Sequence, residues 1–292
     1  MDIKDIKSIA VIGAGNMGHQ IATLCALNGF RTTCTDTSAD ALAKAESFFD
    51  TYLAGRVQKG KLTESQAAKA RGNARFTREL PQAVKDADYV IEAAVETLAI
   101  KRKIFADIDT HAPAHAILAT NSSRIVSSRI ADATGRPSKV CNLHFFNPAL
   151  VMKLVEVVRG PHCAPDTVDV SFELCKKLGK IPVLLEKEVD GFLLNRMLGA
   201  LLKEALWLND MGIASPEDID KACVHGAGYP MGPFRLMDLT GIDLEYFIRM
   251  EAFKNTGDRA ELPSPGVVKR YLQGDHGEKT GRGWYEYAQD KK

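Results

Sequence analysis

The histidine of LHFFNP (143–148) lies at the end of an apolar run, KVCNLHFF (139–146), and is a candidate catalytic base. Imidazole has an unperturbed pKa of about 6.5, so it can accept a proton from a reacting group near neutral pH. Glu156 stands among valines in KLVEVV, on the next predicted strand. A buried glutamate is rare unless it is paired, and a carboxylate beside an imidazole fixes its tautomer. His144 and Glu156 therefore indicate a general-base pair.

A structural interpretation of the same two residues stays open when only their surroundings are considered. A single histidine after an apolar strand is more often part of the core than a catalyst. Glu156 on an edge strand would simply point to solvent. The residues alone do not decide between the two interpretations.

Three glycines in VIGAGNMGHQIA (11–22) have the G-x-G-x-x-G spacing of a dinucleotide-binding loop. Gly13 permits a tight turn, Gly15 lets the backbone approach a pyrophosphate, and Gly18 lets the helix pack closely on the strand. The N-terminus of the following helix offers free N–H groups and a partial positive charge to the phosphates. Because the loop follows an apolar run and opens a helix, we predict a dinucleotide cofactor here, with Asn16 and Met17 among its contacts.

The acid at the end of the second apolar run, Asp36, indicates which dinucleotide is bound. A carboxylate at this position accepts hydrogen bonds from the adenosine ribose and repels a 2′-phosphate. The next residues, TSA (37–39), contain no arginine that would bind such a phosphate. The sequence therefore predicts NAD rather than NADP. The alternative is that Asp36 only caps the helix that begins near Ser38.

Short apolar runs alternate with helical patterns in the first half of the chain, and this alternation predicts the fold that must position these residues. The runs are SIAVIGAG (8–15), RTTCTD (31–36), DYVIEAA (88–94), AILATNSS (116–123) and KVCNLHFF (139–146). They predict a parallel sheet with helices on both faces, a doubly wound α/β fold of the Rossmann type. Two further runs, MKLVEVVRG (152–160) and IPVLLEK (181–187), flank a predicted helix over 166–178 that ends at Gly179, and we expect them to extend the sheet.

The pattern changes near residues 187–190, which predicts a domain boundary: a dinucleotide-binding domain over 1–188 and a helical domain over 189–292. The segment 192–212 is apolar on more than one side and must be buried, so we predict that the helical domain forms a homodimer. SPEDIDKAC begins with a cap, Ser215, and a proline at the first helical position. DLTGIDLEYFIRM (238–250) predicts another helix, and KTGRGWYEY (279–287) is expected to pack Trp284 and Tyr285 onto this domain.

The net charge, the apolar runs and the cysteine spacing of the chain argue against several classes of partner. The chain has 292 residues, and 38 Lys and Arg against 37 Asp and Glu give a net charge of +1, so no global field attracts nucleic acid or an anionic membrane. No apolar run approaches the ~18 residues of a membrane span, and MDIKDIKSIAVIG does not resemble a signal peptide; we expect a cytoplasmic protein. The six cysteines form no C-x-x-C pair and are expected to be reduced. Tight metal-ligand spacing is absent from the sequence, so no metal is predicted.

Over nearly its whole length the chain resembles the short-form 3-hydroxyacyl-CoA dehydrogenases, close to the bacterial 3-hydroxybutyryl-CoA dehydrogenases. The resemblance is carried by VIGAGNMG (11–18), DADYVIEAAVE (86–96), TNSS (120–123), LHFFNPALVMKLVEVV (143–158), DGFLLNR (190–196), GAGYPMGPFRLMDLTGID (226–243) and KTGRGWYEY (279–287). It implies reversible, NAD-dependent oxidation of an L-3-hydroxyacyl-CoA to the 3-ketoacyl-CoA, as in β-oxidation, and a dimer made by the helical domain.

The resemblance also implies roles for individual residues. The catalytic histidine and its partner fall on His144 and Glu156, which favours the catalytic interpretation of both. Substrate contacts fall on Ser123, Asn147 and Asn195, and a lysine near the CoA moiety falls loosely on Lys59. Besides the glycine loop and Asp36, the resemblance places Glu96 and Lys101 at the NAD.

Two residues depart from the family pattern. Gln20 stands where the family usually has a glycine in the helix after the loop, which either crowds that helix or adds a polar contact. Arg124 follows Ser123 directly, at the position where the family usually has a second serine. This is a large change of charge beside the expected substrate site.

Two rival functions remain from the sequence. Because of Arg124, one alternative is a related NAD-dependent dehydrogenase of a non-CoA substrate such as a hydroxy acid, a sugar acid or carnitine. The other is a non-catalytic protein that keeps the fold as a lens-type structural or NAD-sensing module. The presence of Ser123, His144, Glu156 and Asn195 argues against the second alternative.

Overall fold

An eight-stranded sheet runs through the first of the two units into which the chain divides, Met1–Leu193 and the residues from Leu194 onward. This computed structural model describes residues 1–288. The strands are β1 (Ser8–Ile12), β2 (Arg31–Thr35), β3 (Ala74–Thr77), β4 (Tyr89–Glu92), β5 (Ile117–Thr120), β6 (Val140–Phe145), β7 (Leu154–Val158) and β8 (Ile181–Leu185). Their order is β3-β2-β1-β4-β5-β6-β7-β8. The predicted doubly wound sheet is confirmed.

Two features of the sheet were not predicted. β3 was not predicted, because its four residues, ARFT, are mostly half-buried or exposed and lack a continuous apolar run. β7 runs antiparallel to β6, whereas the five apolar runs before it form the predicted parallel sheet. The short connection between these strands explains the difference, since a parallel pair needs a crossover of a dozen residues or more.

Helices cover both faces of the sheet. They are α1 (Asn16–Leu27), α2 (Ala39–Gln58), α3 (Glu64–Asn73), α4 (Leu80–Val84), α5 (Leu98–His111) and α6 (Pro165–Lys177). Side chains of a strand alternate between faces, so Val11 of β1 packs in the larger core with Ile21 of α1. Its neighbour Ala10 packs in the core on the other face with Phe105 of α5. α6 ends as predicted, with Gly179 in the left-handed region at φ +71°.

The second unit is helical, as predicted, with α7 (Leu194–Asp210), α8 (Pro216–Lys221), α9 (Pro233–Thr240), α10 (Ile242–Thr256) and α11 (Pro265–Gln273). Ser215 caps α8 by accepting a hydrogen bond from the backbone N–H of Asp218. The single helix predicted near 238–250 is two helices, because Gly241 lies between them at φ +106°. A Cβ there would also lie 2.6 Å from Asp243 Oδ1.

The segment near residue 284 is held against the helices of the second unit, as predicted. Trp284 is buried and its ring meets that of Phe234 edge to face at 4.6 Å. Its backbone N–H donates to Asp238 Oδ1 at 2.9 Å, and the Tyr285 hydroxyl donates to Asp220 Oδ2 at 2.8 Å. Two buried aspartates therefore fix this segment.

The six cysteines are free thiols, and five of them are buried. Burial and then the charge of Asp36 raise the pKa of the Cys34 thiol to about 12. Burial also raises the pKa of Cys25 far above its ordinary value. These thiols are protonated near neutral pH and serve as small core side chains. None of the helices in residues 1–288 has both the length and the apolar character needed to cross a membrane.

Candidate active site

The predicted histidine and glutamate lie directly opposite each other on the antiparallel strands β6 and β7. His144 Nδ1 is 2.8 Å from Glu156 Oε2. Their side chains are 3% and 0% exposed, so the pair is shielded from solvent. Side chains that are opposite in an antiparallel pair lie on the same face, and this register brings together two residues that are twelve positions apart. Glu156 is therefore paired rather than pointed at solvent.

The other nitrogen of the imidazole faces a serine. Ser123 follows β5, which is parallel to β6, so the ends of both strands reach the same edge of the sheet. Ser123 Oγ is 3.0 Å from His144 Nε2. Because a carboxylate only accepts hydrogen bonds, Nδ1 carries the proton toward Glu156 and Nε2 is left as an acceptor. The arrangement makes Nε2 a base that faces a hydroxyl.

Two aromatic rings confine the imidazole. The ring of Phe146 is centred 4.5 Å from that of His144, and the ring of Phe192 is 5.4 Å away. Phe192 is fully buried at φ +52°, a left-handed conformation that is uncommon for a bulky side chain. The next residue, Leu193, donates its backbone N–H to Glu156 Oε1 at 3.1 Å. Sequence reasoning missed Phe192; the DGF stretch before the helical half was its only signal.

Phe192 and Leu193 also show on which side of the boundary between the two units the end of this segment lies. The sequence placed it at 188/189, and in the structure Phe192 still packs in a core cluster of the first unit with Val158 and Leu185. The second unit begins at Leu194. The last residues of the first unit therefore contact the His144–Glu156 pair.

The glycine loop has the geometry that a dinucleotide requires. Gly13 lies at φ +103°, and a Cβ on Gly18 would lie 1.8 Å from Gly13 O, so loop and helix touch. A Cβ on Gly15 would meet nothing within 4 Å, and Gly15 caps α1 without a side chain. The first turn of α1 is thus open to an anionic ligand. Of the other predicted loop contacts, Asn16 is exposed and half-buried Met17 packs against the larger core.

Asp36 ties the end of β2 to the glycine loop. Its Oδ2 accepts from Ala14 N at 2.8 Å and its Oδ1 from Ser38 N at 2.8 Å. The cap of α2 is Ser38, whose Oγ accepts from Ala41 N at 3.2 Å. Each carboxylate oxygen of Asp36 keeps a second acceptor position, so the half-buried side chain can still accept from a ribose hydroxyl.

Lys101 and Glu96, the other predicted NAD residues, belong to a polar network with a glutamate that sequence reasoning missed. The Lys101 side chain is 1% exposed and donates to Glu92 Oε1 at 2.8 Å and Oε2 at 3.0 Å. Thr120 Oγ1 donates to Glu92 Oε2 at 2.6 Å. Glu96 Oε2 is 3.3 Å from Lys101 Nζ, and Glu96 Oε1 accepts from Ser122 Oγ. A glutamate that ends the apolar strand YVIE was the signal for Glu92.

The remaining predicted residues are distributed over the chain. Asn147 Oδ1 accepts from Asn16 Nδ2 at 3.0 Å, which joins the loop after β6 to the glycine loop. Arg124 follows Ser123, and its backbone N–H donates to Glu96 Oε1 at 3.2 Å. Lys59 is exposed at the end of α2, and Asn195 is exposed in the first turn of α7, in the second unit. Among residues 1–288, no group of three or more His, Cys, Asp and Glu side chains is placed to hold a metal ion.

The fold and these groups define a Rossmann-type dehydrogenase, and comparison with known proteins gives the family. Residues 8–189 match the model "3-hydroxyacyl-CoA dehydrogenase, NAD binding domain", and residues 191–287 match "3-hydroxyacyl-CoA dehydrogenase, C-terminal domain". The chain belongs to the 3-hydroxyacyl-CoA dehydrogenase family. It is 39% identical over 290 residues to the mitochondrial hydroxyacyl-coenzyme A dehydrogenase of Rattus norvegicus, covering 97% of this chain and 91% of the relative.

Solved structures agree with this assignment. The (S)-3-hydroxybutyryl-CoA dehydrogenase of Ralstonia eutropha superimposes with a TM-score of 0.89 at 34% identity, over 98% of this chain and 100% of that chain. A diketoreductase described as acting on dicarbonyl compounds gives a TM-score of 0.85 at 36% identity, over 97% and 99%. The predicted family, the Rossmann fold with a helical second domain, NAD as cofactor and the 3-hydroxyacyl-CoA dehydrogenase class are thereby confirmed.

Proposed function

We propose that this protein oxidises the 3-hydroxyl of a short-chain L-3-hydroxyacyl-CoA, with 3-hydroxybutyryl-CoA as the preferred substrate, and reduces the 3-ketoacyl-CoA in reverse. The observation that carries the proposal is the Ser123–His144–Glu156 chain, in which Nε2 of a buried imidazole faces a hydroxyl at 3.0 Å. Bound NAD+ supplies the hydride acceptor for C3 of the substrate. The residues of the chain then have to remove one proton and orient one carbon.

His144 Nε2 takes the hydroxyl proton of the substrate as the C3–H bond is broken. Glu156 holds Nδ1–H and stabilises the imidazolium that forms. Ser123 Oγ lies where it can donate to the C3 oxygen or exchange places with it at Nε2. Phe146 and Phe192 keep water from the ring, which strengthens each of these interactions.

The open first turn of α1 and the free acceptor positions of Asp36 would hold the cofactor, with Glu96 at the same edge of the sheet. We assign Asn147 and Asn195 to the substrate and Lys59 to the CoA phosphates, as the family resemblance implies. Asn195 belongs to the second unit, so its place in the site is part of the proposal. The cytoplasmic location stays a prediction.

A homodimer through the helical unit is also part of the proposal. α7 and α10 carry large apolar side chains that are exposed in the single chain, among them Met197, Trp207 and Phe247. An apolar surface of this kind is typical of an interface. The sedimentation mass at micromolar concentration tests this point.

The proposed substrate is tested by the reduction of acetoacetyl-CoA with NADH, measured as the loss of NADH absorbance at 340 nm. We expect turnover, slower turnover with NADPH, and a decrease in kcat of about 10³-fold or more in His144→Gln, because general-base catalysis contributes 10²–10⁴-fold. A kcat for His144→Gln within threefold of the unmodified enzyme would contradict the role of the histidine. NADH binding without turnover of any 3-ketoacyl-CoA from C4 to C16 would contradict the proposed function and favour an NAD-sensing module.

A second candidate is a dehydrogenase of a non-CoA carbonyl compound, favoured by the likeness to a diketoreductase and by Arg124 beside Ser123. Free acetoacetate and a small diketone, assayed next to acetoacetyl-CoA, separate the two candidates. A higher kcat/KM on either free compound would reject the CoA substrate.

A further inference from the structure

Gln20 departs from the family pattern; the residue is 6% exposed, and both ends of its side-chain amide form hydrogen bonds. Its Nε2 donates to the backbone oxygen of Asn16 at 3.0 Å and to Asn16 Oδ1 at 3.1 Å. Its Oε1 accepts from the backbone N–H of Leu150 at 3.4 Å. The sequence predicted that Gln20 either crowds the helix after the glycine loop or adds a polar contact, and the structure shows the polar contact.

The bonding partners of Gln20 fix which way its amide points. The Asn16 backbone oxygen can only accept and the Leu150 backbone N–H can only donate, so Nε2 must lie toward α1 and Oε1 toward the loop after β6. Since Nε2 is a donor, the Asn16 atom that meets it must be the acceptor Oδ1. Asn16 Nδ2 is then directed away from Gln20.

The same reasoning continues to Asn147. Asn16 Nδ2 is a donor and lies 3.0 Å from the side-chain amide of Asn147, so the atom of Asn147 that meets it is Oδ1. The amide nitrogen of Asn147 is left to face the other way, with two N–H groups. Asn147 follows β6, three residues after His144.

We propose that Gln20 is a positioning residue that orients the Asn147 amide through Asn16, so that Asn147 presents N–H donors to a carbonyl oxygen of the bound reactants. The inference rests on the proposed function only in placing a reactant at Asn147. The three amides form a relay, Gln20–Asn16–Asn147, whose polarity is set at one end by the backbone. Gln20 has no access to the reaction itself, because it is buried behind Asn16.

The relay is tested by a double-mutant cycle with Gln20→Met, which keeps the length and helix preference of the side chain and removes its amide. We expect kcat/KM for acetoacetyl-CoA reduction to fall about five- to tenfold, the effect of one or two lost hydrogen bonds. In an Asn147→Ala background the same substitution should change kcat/KM by less than twofold, because the relay then orients nothing. Gln82→Met, at an exposed glutamine of α4, is the matched control and should have no effect.

A readout on the free protein separates this inference from the proposed function. The side-chain amide signals of Asn147 in a ¹⁵N–¹H correlation spectrum, assigned by their loss in Asn147→Ala, should shift in Gln20→Met and stay in place in Gln82→Met. If Gln20→Met does not fold, Asn16→Ala at an exposed position breaks the middle of the relay and should move the same signals. Unmoved signals, or equal losses of kcat/KM in both backgrounds, would overturn the relay. Absence of turnover in the unmodified protein would reject the proposed substrate and leave the spectral test intact.

Discussion

Two glutamates of the sheet, Glu92 at the end of β4 and Glu156 on β7, are both fully buried and have different partners. Glu92 meets the ammonium of Lys101 at 2.8 Å and the Thr120 hydroxyl at 2.6 Å. Glu156 meets an imidazole, His144, at 2.8 Å. The partner of Glu92 is thus an ammonium, whereas the partner of Glu156 is an imidazole, the side chain that most often serves as a general base.

Under the proposed function, the difference separates a pair that stabilises the fold from a pair that takes part in catalysis. The Glu92–Lys101 pair joins β4 to α5 inside the core, and removing one partner would leave a buried charge without compensation. The His144–Glu156 pair continues to Ser123, which is half-buried, so a proton can pass between Nε2 and a bound ligand. The same carboxylate chemistry therefore stabilises the fold in one place and prepares a base in the other.

The largest effect on stability is expected from Lys101→Met. The substitution leaves the Glu92 carboxylate buried without its cation, which costs about 3–5 kcal/mol when one partner of a buried pair is removed. The free energy of unfolding, measured with urea, should fall by that amount. Lys103→Met, two residues along α5 at an exposed position, should change it by less than about 0.5 kcal/mol.

Replacing both partners sharpens this test. In Glu92→Gln with Lys101→Met no buried charge remains, so part of the lost stability should return. A double variant that is less stable than Lys101→Met would contradict the account of an uncompensated carboxylate.

Glu156→Gln is expected to act on the rate rather than on the fold. An amide can donate to Nδ1, which leaves the proton on Nε2 and removes the base; we expect kcat to fall by about 10²–10⁴-fold. KM should stay within about threefold, and the free energy of unfolding should change by less than in Lys101→Met. Glu173→Gln, at an exposed position of α6, is the control. A kcat close to that of the unmodified enzyme, or a loss of stability as large as that of Lys101→Met, would erase the distinction between the two glutamates.

The sequence predicted the pairing of His144 with Glu156 and the glycine loop because each depends on a short stretch of chain. The spacing of His144 and Glu156 in two neighbouring strands places them opposite each other once the loop between them is short. The spacing of the glycines likewise meets a local steric requirement, as the contact between Gly13 and Gly18 illustrates.

Other contacts form between segments that are far apart in the sequence, and such contacts could not be predicted from the sequence alone. The resemblance places Lys101 at the cofactor, which stays a prediction, and its ion pair with Glu92 was missed. Glu92 ends an apolar strand and required a partner by the same reasoning that was applied to Glu156. The Gln20–Asn16–Asn147 relay joins residues about 130 positions apart, and no pattern in the sequence indicates that junction. β3 was missed because an exposed edge of four residues has no apolar signature.

The smallest expected effect concerns a third buried charge, which has no carboxylate. Lys180 Nζ donates to the backbone oxygens of Ala149 and Met152, the latter at 2.7 Å, and thereby holds the loop between β6 and β7. Within residues 1–288 the structure gives it no ion-pair partner, and burial lowers the pKa of its ammonium below the ordinary value. Between that lowered pKa and about 10.5, the unfolded chain binds more protons at this site than the folded one.

The free energy of unfolding should therefore rise with pH through that window on account of Lys180, by at most about 1.4 kcal/mol per pH unit. In Lys180→Met this contribution is absent, so the difference in stability between the unmodified protein and the variant should grow from pH 8 to pH 10. Taking the difference cancels the titration of the buried cysteines that Lys180 does not influence, and Cys175→Ala in both proteins removes the one cysteine whose pKa the Lys180 charge lowers. Lys153→Met, at an exposed lysine of the same loop, should show no such growth. A difference that is constant from pH 8 to pH 10 would contradict the lowered pKa and would mean that the two backbone oxygens hold the Lys180 ammonium as well as water does.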